Sequence, residues 1–222
     1  MKKRAPGQSK VVAIVAGGDI HRRQLLAIKK ADVVIGVDRG AYWLVERGVP
    51  PDIAIGDFDS VTNVEKKRIH DESVVYIEHV PQKDMTDLEL AIEEAIHMRA
   101  TGVHIYGALG RRFDHTLAAT QLLMRLESHN IYGIIVDNFN KIHIVRHQLT
   151  LPKTQKFRYV SIIPLHKNAK VSLTGFTYDV SHQTFMSSST LGISNEIVAE
   201  FATIIVHSGQ VLVIQSSDVP VR

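Results

Sequence analysis

Two aspartates one residue apart close an apolar run. In Ile55-Gly56-Asp57-Phe58-Asp59-Ser60, residues 51–55 deliver both carboxylates into a turn. Carboxylates so close repel each other, and the spacing suits a hard cation shared between them; Mg²⁺ takes one or two such oxygens together with substrate phosphates. The structural alternative is a helix N-cap, because Asp and Ser accept hydrogen bonds from the free N–H groups of a first turn. The other aspartates decide between the two. Asp38 follows the apolar run 33–37, Asp84 and Asp87 follow 74–80, and Asp114 follows 103–106 and a glycine-rich turn. In an open parallel sheet the carboxyl ends of all strands share one edge, so these acids are expected around one crevice. Caps have no need to converge, whereas a metal and phosphate site does.

The segment Gly107-Ala108-Leu109-Gly110-Arg111-Arg112-Phe113-Asp114-His115 ends a strand and opens a helix. There, free N–H groups and the helix dipole favour phosphate. Gly107 and Gly110 allow close backbone approach and Arg112 can fork onto phosphoryl oxygens. Asp114 can cap the helix or hold a ribose or a metal-bound water. Lys83, in Gln82-Lys83-Asp84-Met85-Thr86-Asp87, adds a cation beside two more acids, and Thr86-Asp87 reads as a helix start. Other features read as structural. His143 and His147 lie four apart in a strand-like run and are expected as a surface pair. Gly17-Gly18-Asp19 lacks the third glycine of a dinucleotide loop and reads as a tight turn at the same crevice. Tyr42 and Trp43, in a helical stretch, read as core or interface.

These residues need a scaffold, and the patterning supplies one. Short apolar runs at 11–16, 32–37, 52–55, 74–77, 103–106 and 131–136 alternate with helical periodicity, clearest over 86–99 and 114–128. That pattern predicts an α/β domain with a parallel sheet. From residue 141 onward β-branched runs take over at 141–145, 159–164, 170–173, 201–207 and 210–215. They predict a smaller antiparallel β-sandwich, with Ser208-Gly209 as a hairpin turn. The expected division is 1–147 and 148–222, within the polar break at 146–156. The 222 residues are 45% apolar and 22% charged, an ordinary globular composition. A net charge of +3 comes from dispersed Lys and Arg rather than a stripe, which argues against nucleic acid. Cysteine is absent, excluding disulfides, zinc-thiolate sites and a cysteine nucleophile, and the composition is compatible with a reducing cytoplasm. The apolar run 11–16 is too short for a signal core, and no stretch approaches a membrane span, so a cytoplasmic protein without membrane partners is expected.

The motifs together resemble the thiamine pyrophosphokinase family. The matching residues are Asp38, Gly56-Asp57-Phe58-Asp59-Ser60, Asp84-Met85-Thr86-Asp87, Gly107-Ala108-Leu109-Gly110 and Arg112-Phe113-Asp114-His115. Gly192-Ile193-Ser194-Asn195-Glu196 resembles the family's thiamine-binding segment. The resemblance covers nearly the whole chain and implies transfer of the pyrophosphoryl group of ATP to the hydroxyl of thiamine. It implies a nucleotide-binding α/β domain followed by a β-sandwich, in a homodimer. Further, it implies Mg²⁺ on Asp57, Asp59 and Asp87, and ATP on Asp38, Asp84, Gly107, Gly110, Arg112 and Asp114. Catalysis falls to Asp57, Asp59, Lys83 and Arg112, while Ser194 and Asn195 meet the thiamine pyrimidine across the dimer interface. Arg111 stands where bacterial members usually carry glycine, and its role is open. An alcohol nucleophile needs a proton acceptor, and Asp57 and Asp59 both fit. The alternatives are a Mg-dependent phosphatase, since Asp-x-Asp after a strand can mark a phosphoaspartate nucleophile, and a non-enzymatic nucleotide-sensing module.

Overall fold

Val and Ile fill the strands of the N-terminal unit because a parallel sheet covered on both faces has no polar side. These strands are β1 (Val11–Val15), β2 (Val33–Val37), β3 (Ile53–Gly56), β4 (Val75–Glu78), β5 (Gly102–Tyr106) and β6 (Tyr132–Val136). The computed structural model, which describes residues 9–79 and 85–220, pairs them in the order β6-β5-β1-β2-β3-β4. Every neighbouring pair is parallel. The chain runs outward from β1 to β4, then returns to lay β5 against the other side of β1. That reversal is a topological switch point, where ligand crevices form beyond the strands' carboxyl ends.

The connecting helices are α1 (Leu25–Lys30), α2 (Arg39–Glu46), α3 (Asn63–Glu72), α4 (Asp87–His97) and α5 (Phe113–Ser128). Ala91, Ile92 and Ala95 of α4 are buried at helical spacing, as the sequence periodicity anticipates, whereas α5 buries Ala119, Thr120, Leu123 and Leu126 and leaves Leu117 and Gln121, expected on its apolar stripe with Thr120 and Met124, exposed. The start of α3 is a reciprocal capping box. Thr62 Oγ1 accepts from Glu65 N at 3.3 Å, and Glu65 Oε2 accepts from Thr62 N at 2.7 Å. No helix among the described residues is long and apolar enough to cross a membrane.

Two compact units divide between Asp137 and Asn138, earlier than the division expected after residue 147. The reason is β7 (Asn140–Val145), which pairs antiparallel with β14 (Val211–Ser216) from Asn140↔Ser216 to Val145↔Val211. The second unit adds β8 (Gln148–Pro152), β9 (Tyr159–Pro164), β10 (Ala169–Thr174), β11 (Val180–Phe185), β12 (Asn195–Glu196) and β13 (Phe201–Ser208). One set of its strands runs β12-β9-β14-β7 and the other β11-β10-β13-β8, as a sandwich. Val145, Val160, Ile162, Val211 and Val213 of the first set share a core with Leu151, Val171, Leu173, Ala202 and Ile204 of the second.

One expectation fails here. The Ser208-Gly209 turn does not make a hairpin: β13 pairs with β10 and β8, whereas β14 pairs with β7 and β9. The turn is a corner between the two sheets. The alternating apolar residues on both sides of it serve the shared interior, which burial rewards more than a further ladder would.

Helix α2 sits close on the sheet because its contact positions are small. A Cβ on Gly40 would lie 2.1 Å from Val15 O, and one on Gly36 would lie 2.6 Å from Ala41 Cα. We expect Gly40→Ala to force α2 off β1 and to lower stability by about 1–3 kcal/mol, the usual cost of overpacking. Urea unfolding of the two proteins checks this; an unchanged midpoint would mean that the helix shifts without loss.

Candidate active site

The acids that the sequence singles out meet at the sheet's carboxyl edge. Carboxylate oxygens of Asp38, Asp57 and Asp87 lie within 4.8 Å of one another. Each arrives on a different element. Asp38 follows β2 and is fixed by its own N–H, which donates to Ile55 O at 3.0 Å across the β2–β3 pair. Asp57 follows β3. Asp87 is the first residue of α4, whose cap Thr86 accepts from Glu89 N at 3.2 Å.

The Asp57 loop is not the helix cap that was its structural alternative, since α3 begins later and is capped by Thr62. Instead the loop's backbone serves the acids. Phe58 N donates to Asp38 Oδ1 and Asp59 N to Asp57 Oδ1, both at 3.1 Å. Asp38 Oδ1 occupies the space that a side chain at position 56 would need: a Cβ there would lie 1.8 Å away. Gly56 is therefore required by Asp38 rather than by the strand.

Burial pushes the Asp38 carboxyl up to about 7, and the charges of Asp87, Asp57 and Asp59 push in the same direction, against the lowering effect of the Phe58 N–H. A partly buried acid facing like charges is a frustrated arrangement that a divalent cation relieves. Oxygen donors this close suit Mg²⁺ or Ca²⁺ rather than a soft metal. The residues present thus fit the cation that the sequence suggests.

Among the described residues the trio within this distance includes Asp38 and not Asp59, which the family resemblance implies on the metal. Asp38 was legible as a strand-end acid, but its place beside Asp57 depends on the β2–β3 register. Lys83 and Asp84 lie outside the described residues. The glycine loops flank the switch point: Gly18 N donates to Gly107 O at 2.8 Å, and Gly110 N to Thr116 Oγ1 at 3.3 Å. Asp114 does not cap α5. It accepts from Arg112 Nε at 3.2 Å and Nη2 at 2.5 Å, so the guanidinium expected to grip phosphate is oriented by a carboxylate beside it. That pairing holds Asp114 below the usual carboxylate range. Arg111 is exposed.

In the second unit, Ser194 and Asn195 play different parts. Ser194 is exposed at φ 60°, its N–H held by Ser161 Oγ at 3.1 Å. Asn195 is buried and committed to the backbone. Its Oδ1 accepts from Tyr178 N at 3.1 Å and Glu196 N at 3.0 Å, and its Nδ2 donates to Tyr178 O at 3.0 Å. Asn195 shapes the turn that presents Ser194. His143 is not a surface residue: it is 1% exposed, with Nε2 3.3 Å from Gln215 Oε1.

Comparisons with known proteins cover both units. Residues 25–135 match the family model described as the catalytic domain of thiamin pyrophosphokinase, and residues 146–211 match that of its vitamin B1 binding domain. A thiamine pyrophosphokinase of Bacillus subtilis is 33% identical over 213 residues, spanning 94% of this chain and all of the relative (100%). A crystal structure of the Bacillus subtilis thiamine pyrophosphokinase superposes with a TM-score of 0.86 at 32% identity, over 95% of this chain and 100% of that one. A thiamin pyrophosphokinase family protein of Enterococcus faecalis gives 0.81 at 28% identity, over 95% and 100%.

The raised Asp38 carboxyl carries a sign for stability. In metal-free protein between about pH 4 and about pH 7 the native state holds a proton that the unfolded chain has lost, so stability falls as pH rises through this window. Without metal, the thermal midpoint should drop as pH rises from about 4 to about 7. Asp38→Asn keeps the oxygen that accepts from Phe58 N and should flatten that drop. Melting curves in chelator check this, and equal slopes in the two proteins would remove Asp38 as its source.

Proposed function

The chain belongs to the thiamine pyrophosphokinase family, and we propose that its reaction runs at the acid edge of the parallel sheet, with Mg²⁺ held by Asp38, Asp57 and Asp87. The protein is an ATP:thiamine diphosphotransferase, and the phosphatase and nucleotide-sensor alternatives fall away with the family. The observation that carries the site assignment is the convergence of the three carboxylates within 4.8 Å.

The thiamine hydroxyl oxygen bonds to the β-phosphorus of ATP, the bond from that phosphorus to the α-phosphate oxygen breaks, and AMP leaves with the electron pair. When bound, Mg²⁺ supplies charge neutralisation and alignment of the polyphosphate. The remaining work falls to side chains. Asp57 belongs to the trio, so we assign the hydroxyl proton to Asp59, one residue on and outside it. Arg112, turned by Asp114, neutralises phosphate charge, with Lys83 as a second cation. Gly107 and Gly110 admit the polyphosphate to the backbone beside β5. We place the reaction in the cytoplasm, where ATP is available.

We also propose a homodimer in which the sandwich of one chain presents Ser194 to thiamine bound near the partner's acids. The resemblance of residues 192–196 to a thiamine-binding segment supports this.

With ATP, Mg²⁺ and thiamine, the protein should form AMP and thiamine diphosphate in equal amounts. Asp57→Asn should lose Mg²⁺ binding and turnover together. Asp59→Asn should keep Mg²⁺ binding and lower kcat by about 100-fold or more, the usual share of a general base. Loss of Mg²⁺ binding in Asp59→Asn would return that residue to the metal site.

Refolding Asp57→Asn together with Ser194→Ala should restore part of the activity that each lacks alone, because one of the two sites in a mixed dimer is intact. No recovery, with heterodimers demonstrated by mass spectrometry, would put both halves of the site in one chain.

A further inference from the structure

Phe58, between two catalytic aspartates, sits at φ 56°. A bulky side chain rarely adopts this left-handed region, so something must hold it there. The conformation has a use, because it turns two successive N–H groups, of Phe58 and Asp59, onto the carboxylates of Asp38 and Asp57. What holds it is a ring. Phe58 is 2% exposed and stacks on Tyr76 of β4 with centroids 4.8 Å apart and planes 14° apart.

Tyr76 is fixed in turn from two sides. His70 of α3 meets its ring edge-on at 5.0 Å, and its hydroxyl donates to Glu78 Oε2 at 3.1 Å. Lys66 of α3 pairs with Glu78 at 2.6 Å. We propose that Tyr76 is a positioning residue for the reaction: by stacking on Phe58 it holds the acid loop in the strained conformation that aims Asp38 and Asp57 at the cation. This rests on the assignment of those acids to Mg²⁺.

Packing alone is the competing explanation, since Phe58 and Ile69 share a small core that Tyr76 packs against. Titration of the whole protein with Mn²⁺ alone, followed by the spectrum of free Mn²⁺, separates the two. Tyr76→Leu should bind Mn²⁺ about 10-fold more weakly, as is usual when a group that orients a metal ligand is lost. Tyr76→Phe keeps the ring and should bind like wild type, as should Ile69→Val, which loosens the same core. Wild-type affinity in Tyr76→Leu, or equal weakening in Ile69→Val, would overturn the proposal while leaving the metal site intact. If wild type shows no Mn²⁺ binding that Asp57→Asn abolishes, the site assignment falls and this inference with it. Should Tyr76→Leu not fold, amide exchange in metal-free Tyr76→Met is the readout. Faster exchange at the Phe58 and Asp59 amides than along β3 supports the proposal, and unchanged protection refutes it.

Discussion

Three carboxylates are forced together at the carboxyl edge of a parallel sheet, and the surrounding structure exists under that repulsion. Like charges at such separations cost roughly 3–4 kcal/mol per pair in an effective dielectric of about 20. That is a large part of the 5–15 kcal/mol that keeps a domain folded. The chain meets the cost in two ways. Asp38 gains proton affinity, rising to about 7, so the resting cluster need not hold its full charge. The loop also turns the N–H groups of Phe58 and Asp59 onto Asp38 Oδ1 and Asp57 Oδ1. In the proposed reaction a cation and the phosphates it brings would complete what these devices begin, and binding energy of this origin would also stabilise the folded state.

Much of this was legible from the sequence because parallel topology converts one-dimensional spacing into proximity. Strand-end acids such as Asp38, Asp57 and Asp87 had to share an edge once the strands were recognised. The missed features depend on pairings that spacing does not encode. Asp38 joins Asp57 only because β2 and β3 pair with Val37 opposite Ile55. The corner at Gly209 looks like a hairpin in sequence, since strands that turn back within a sheet and strands that cross between sheets share the same alternation. The early unit boundary follows from β7 finding β14, a partner far along the chain. Asn195 had the right composition for a ligand contact, yet its amide is used up on Tyr178 and Glu196. Residue type alone cannot separate a group that touches substrate from one that holds the loop that does.

Backbone strain marks the same residues. Among the described non-glycine residues with positive φ, Arg99 and Asn130 stand just past the ends of α4 and α5, where helices commonly terminate this way. Asp38, Phe58 and Ser194 do not end a helix and belong to the segments assigned to metal and substrate, whereas His182 takes the same conformation in β11, where the β10–β11 register shifts, outside those segments. Strain of this kind persists only where neighbours over-determine it. For Asp38 the neighbours are the β3 backbone and the missing side chain of Gly56. For Phe58 they are its own N–H bond and the Tyr76 ring.

Arg112 follows a different logic from the buried acids. Its partner Asp114 is exposed, and exposed ion pairs add little to stability. An interaction so weak can be exchanged at low cost when a polyphosphate carrying several charges arrives. Until then it keeps the guanidinium extended from the start of α5 rather than free in solution, which lowers the entropy lost on gripping phosphate. The acids are therefore held rigidly by strand pairing, cap and ring stacking, because a cation tolerates little error in its donors. Arg112, the cation we assign to phosphate, is only loosely restrained, as suits a group that would release its product at every turnover.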